Sequence, residues 1–208
     1  MEVSKVRATS LSTANKLGYI VNENLPFLDV CSLVRTVDQT VDRILGMYCV
    51  AATAYGFDRK VAKQWLSANA VHESLTPNEQ QFLETGKGAT QDFKFQIEGI
   101  WALCWSCRIS ANEFSFGTKC PQDFVTRLPD IKKGEDAQQL RARASLVSVE
   151  DIVQMADTAY CIHWAIRDNA IRGNKQIGNL PEYVIRERRK ALDWLLEDEE
   201  WDSISVDT

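Results

Sequence analysis

At 208 residues, 45% hydrophobic and 25% charged, the chain has the makeup of an ordinary globular protein. It reads as one mainly α domain over residues 1–208, large enough to bury roughly 70% of its unfolded surface without help from a metal or disulfide. The net charge of −5 excludes a general nucleic-acid binder, which would carry a basic surplus.

The stretch MEVSKVRATSLSTANKL has no apolar core of signal-peptide length, and the most apolar run, 47–55, is too short to span a bilayer. No membrane association is expected, and a cytoplasmic location is. The six cysteines (31, 49, 104, 107, 120, 161) are then expected as reduced thiols.

In chain order the first helix covers about 4–17 and stops at Gly18. An extended segment over 19–33 follows, because Pro26 disfavours helix at Leu25. Thr36 with Gln39 forms a capping box, and its helix runs to about Tyr55 with Gly56 at the stop. Asp58 caps a short helix carrying Val61, Ala62, Trp65 and Leu66. The run Thr76-Pro77-Asn78-Glu79 combines a cap, a first-turn proline and an acidic third position, and its helix ends at Gly86. The following GKGAT, 86–90, lacks the upstream glycine and the Ser or Thr after Lys of a phosphate loop, so it reads as a turn.

A helix over about 91–109 comes next, apolar most of the way round, and is expected at the centre of the protein. Cys120-Pro121 opens a short helix, and another is expected over about 135–144. Ser148 with Asp151 caps a long helix of about 149–170, and Pro181 starts the last one, to about Leu196. The tail holds at most a short extended piece. Trp101, Trp105, Trp164 and Trp194 are expected to be largely buried.

Three of these helices set an ionisable group among apolar neighbours. Glu98 shares an arc with Ala102, Trp105 and Ile109. His163 lies in the stripe Ile152, Ala156, Ala159, Ile166, Ala170, with Arg167 at its edge. Arg188 falls in the arc of Ile185, Leu192, Leu195 and Leu196. An unpaired buried charge costs several kcal/mol, so Glu98 is expected to pair with Arg167 or Arg188, and His163 to be neutral and hydrogen-bonded. The same four residues are the candidates for proton handling if the cluster opens to solvent.

Cys104 and Cys107, with Cys161 and His163, are of zinc-ligand type. The first two lie mid-helix between tryptophans, so neither a metal nor a cofactor is expected. No nucleophile elbow, His-x-x-x-His pair or dinucleotide glycine set is present.

The run ERRKALDWLLEDEEWDSISVDT (187–208), with HWAIRD (163–168), IEGIWALCW (97–105) and Leu25-Pro26, resembles the bacterial family catalogued as domain of unknown function 4272. That family has an ER-x-x-AL-x-WL helix followed by W-D and a terminal D-T. The resemblance implies a bacterial or phage-borne soluble protein and carries over no catalytic residue. Two function classes follow. One is a non-catalytic binding module with a protein partner, for example an immunity or regulatory protein. The other is a small hydrolase or transferase using Glu98, His163, Arg167 and Arg188. Oligomeric state has no signal in the sequence.

Overall fold

A computed structural model describes residues 2–28, 33–110, 114–174 and 177–207, and every regular element among them is a helix. In chain order these are α1 (Val3–Lys16), α2 (Val37–Ala54), α3 (Arg59–Ala68), α4 (Pro77–Thr85), α5 (Thr90–Phe95), α6 (Ile97–Ser106), α7 (Gln138–Arg143), α8 (Val149–Ile171) and α9 (Glu182–Leu196). Short 3-10 turns cover His72–Ser74, Phe124–Arg127 and Trp201–Ser203. Among the described residues no helix is long and apolar enough to cross a membrane. The chain divides into two compact units, one of Met1–Val34, Ser115–Lys119 and Val147–Thr208, the other of Arg35–Phe114 and Cys120–Leu146.

The first unit is built on α8, which packs against α1 and α9. Ser148 caps α8 as expected, accepting the Asp151 N–H at 3.1 Å. Its buried face carries Ile152, Val153, Ala156, Ala159, Ile162 and Ala165. After α9, the turn 201–203 folds Trp201 edge-on to Trp194, ring centroids 5.7 Å apart, and Ile204 is buried beyond it. The expected extended piece in the tail is therefore a 3-10 turn followed by irregular chain.

One glycine in this unit is fixed by space. Gly178 has φ +69°, and a Cβ added there would sit 2.2 Å from Cζ of the buried Tyr19 ring. Gly178→Ala combines overpacking with left-handed backbone strain. It is expected to cost about 2–3 kcal/mol in urea unfolding, and a loss within 0.5 kcal/mol would show that the Tyr19 contact yields freely.

The second unit is organised around α2, against which α3, α4, α5, α6 and α7 pack. The Thr36–Gln39 capping box starts it, and Val41, Ile44, Leu45, Met47, Cys49 and Val50 are fully buried along it. Burying each such aliphatic side chain contributes roughly 1.5–3 kcal/mol. The helix expected over 91–109 is two helices: it breaks at Gln96, ends at Ser106, and Arg108 turns the chain at φ +56°. Trp101 is fully buried with its ring edge-on to Phe114 at 5.2 Å, while Trp105 is half-buried and stacks on Phe114 at 5.4 Å. The helix expected after Pro121 is a 3-10 turn. Cys31 and part of the segment 19–33 lie outside the described residues.

Candidate functional site

The four sequence candidates divide between the units: His163, Arg167 and Arg188 in the first, Glu98 in the second. His163 is buried on α8, and its Nδ1 lies 3.0 Å from Arg189 Nη1 of α9. A guanidinium only donates, so Nδ1 must accept, and the neutral ring then carries its proton on Nε2. That nitrogen is 3.6 Å from Glu182 Oε1, beyond hydrogen-bond length. Burial first, and then the positive charge of Arg189, push the His163 pKa down to about 4, against an opposing pull from Glu182. The imidazole is therefore neutral at physiological pH and a weak base.

Arg189 spends its donors within its own unit. Nε reaches Asp193 Oδ2 at 3.1 Å, one turn on, and Nη1 and Nη2 donate to the carbonyls of Val206 and Asp207 at 3.0 and 3.4 Å. Its guanidinium also lies 5.0 Å from the centroid of the Tyr160 ring. Asp193 is so deeply buried that desolvation pushes its pKa up to about 7, although Arg189 pulls it the other way.

Arg7, on α1, lies against the same Tyr160 ring at 5.8 Å and grips Asp157 through Nε and Nη2, the latter at 2.8 Å. Its Nη1 and Nη2 donate to the carbonyls of Leu25 and Pro26, both at 2.7 Å. Arg188 is fully buried and donates to the carbonyls of Ser115 and Thr118 at 2.5 and 2.7 Å, fixing that short segment. Arg167 is half exposed at the rim, 3.4 Å from Glu182 Oε1.

In the second unit Glu98 is buried, and its two oxygens accept the Cys120 N–H at 3.1 and 3.2 Å. A stronger cluster surrounds Glu79. Its carboxylate takes Arg43 in a fork at 2.5 and 2.8 Å, Gln96 Nε2 at 3.1 Å and the Thr76 N–H at 3.0 Å. Cys104 and Cys107 are buried thiols, the second pushed up to about 12 by desolvation, which leaves both protonated. Among the described residues no group of His, Cys, Asp or Glu is placed to hold a metal ion.

Arg7, Asp157, Arg189 and Asp193 escaped the sequence reading, as did the Arg43–Glu79 pair. Two signals were available. Arg189 and Asp193 stand at i and i+4, the spacing that pairs charges on a helix. Asp157, a weak helix former, interrupts an apolar stretch well inside a long helix.

Together these features define an all-helical protein whose buried arginines and carboxylates among the described residues engage in ion pairs and backbone hydrogen bonds. The chain belongs to the family described as Domain of unknown function (DUF4272), whose profile matches residues 7–204. No curated protein and no solved structure matches it.

Proposed function

We propose that the chain is a non-catalytic binding protein of the bacterial cytoplasm that acts by covering a protein partner, as an immunity or regulatory module does, without nucleic acid or membrane. The supporting observation is the state of His163. Its one acceptor nitrogen is committed to Arg189, its pKa is depressed to about 4, and Arg189 is held in turn by Asp193 and the carbonyls of Val206 and Asp207. A general base needs a pKa near the working pH and a free lone pair, and His163 has neither. Glu98 likewise directs both oxygens at a backbone N–H.

The test pairs activity with capture. The purified protein and His163→Gln are assayed on chromogenic esters, phosphates and glycosides, and each is used to recover partners from its native cells. The expected result is no turnover that the substitution removes, and the same single stoichiometric protein recovered with both. A hydrolytic or transfer activity abolished by His163→Gln at unchanged melting temperature would replace this reading with the enzyme one.

A further inference from the structure

The second unit holds a cleft of about 440 Å³ between α3 and α4, whose lining includes none of Glu98, His163, Arg167 and Arg188. Along α3 its wall is Lys60, Lys63, Gln64 and Ser67, the i, i+3, i+4, i+7 stripe of one helical face. The opposite wall is His72, Gln80 and Glu84, and Leu66, Leu75 and Leu83, all buried, form an aliphatic floor.

The charges in this cleft do not cancel. Lys63 Nζ and Glu84 Oε2 meet at 2.8 Å across it and neutralise each other. Arg59 caps the end of α4 by donating to the Glu84 carbonyl at 3.1 Å. Among the described residues neither Lys60 nor the His72 ring takes part in a hydrogen bond or ion pair. Lys60 therefore stands uncommitted beside an apolar floor, in a chain whose net charge is −5. The His72 ring adds its charge to the pull of Lys63 that holds the Glu84 carboxyl below its ordinary pKa, and keeps its hydrogen-bonding nitrogens free. A ligand cavity has this make-up: a mostly apolar lining and a few convergent polar groups that set orientation.

We infer that this cleft binds a small organic oxyanion, a carboxylate or phosphate monoester on an aliphatic or aromatic body. The body lies on Leu66, Leu75 and Leu83, and the anionic head meets Lys60 and His72, with Ser67 and Gln64 as further donors. The inference stands apart from the partner-binding proposal, which rests on His163.

A series with one body and four heads tests it on the full-length protein. Hexanoate, hexyl phosphate, hexylamine and hexan-1-ol are titrated while the amide resonances of residues 60–67 and 72–84 are followed by NMR. The expected result is saturable shifts with at least one of the two anions at a Kd of about 0.1–5 mM, the range for ligands of this size. Which anion binds tighter separates a carboxylate ligand from a phosphate one. Hexanol should bind more weakly and hexylamine weakest. Lys60→Gln, an exposed substitution that leaves the fold alone, should weaken anion binding about three- to tenfold and leave hexanol unchanged. Hexylamine binding as tightly as the anions, an unaffected Lys60→Gln, or no saturable shift with either anion would each overturn the inference.

Discussion

Glu79→Gln is expected to destabilise the protein by about 3–5 kcal/mol, the cost of removing one partner from a buried ion pair. For a chain of this size that is a fall in melting temperature of roughly 6–20 °C. Glu79 and Arg43 are 1% and 2% exposed, so the guanidinium left behind has no water to turn to. All the acceptor positions of the carboxylate are in use: Arg43 at both oxygens, Gln96 at Oε1, Thr76 N–H at Oε2. A glutamine keeps the shape but must point its amide nitrogen at another donor, whichever way it turns. Arg43→Met with Glu79→Leu removes the stranded charge and should recover much of the loss. Recovery stops short, because the Thr76 N–H and Gln96 amide lose their acceptor at about 1–3 kcal/mol each. Urea unfolding of both single variants and the double measures this. A Glu79→Gln loss below 1 kcal/mol would show that water reaches the pair.

Asp193→Asn and His163→Gln are expected to tilt the pH dependence of stability in opposite directions. Asp193 binds its proton more tightly folded than unfolded, with its pKa raised from 3.8 to about 7. Its contribution is complete below the unfolded value and is lost as pH rises to about 7. His163 runs the other way, with its pKa lowered from 6.5 to about 4. Its contribution is complete above 6.5 and is lost as pH falls to about 4. Each shift corresponds to roughly 3–4 kcal/mol. Between about pH 4 and 6.5 the two slopes oppose and largely cancel in the wild type. Removing Asp193's carboxyl leaves the His163 slope, so Asp193→Asn should gain stability from pH 4.5 to 6.5 relative to wild type. His163→Gln should lose stability over the same interval. Urea unfolding at four pH values checks both, and difference curves that stay flat would mean neither group titrates differently on folding.

The helix starts were legible because each rests on local chemistry. Thr36 with Gln39, Asp58, Thr76 with Glu79, and Ser148 all cap as their spacing requires. The break at Gln96 was not, since no proline or glycine marks it and Gln96 stays in the right-handed region; its side chain turns instead to Glu79. The burial of Glu98, His163 and Arg188 followed from helical period alone. Arg189 was hidden by its surroundings: the four basic residues of the run 186–190 face several directions round the helix and are balanced in sequence by Glu182, Glu187 and Asp193. Yet Arg188 and Arg189 are both buried, drawn in by the carbonyls of 115, 118, 206 and 207. Such acceptors lie far away in sequence, and no local pattern announces them. Glu79 was hidden differently, because its place in a capping box already accounted for it.

The interface between α1 and α8 also bears on how the chain is made. Arg7 meets Asp157 across 150 positions, and Ser10 takes Gln154 Nε2 at 2.9 Å across 144. At a synthesis rate of about 5–20 residues per second, α1 leaves the ribosome roughly 7–30 s before its partner exists. An amphipathic helix with a leucine stripe would spend that interval exposing a surface for chaperones or neighbouring chains. The buried residues of α1 are Arg7, Ser10 and Ala14, two polar side chains that water solvates readily and a single methyl group. The second unit begins at Arg35 and can be complete once Leu146 has emerged, before α8 follows it out of the ribosome. The nascent chain can therefore carry its first helix, wetted and inert, until α8 arrives to claim it.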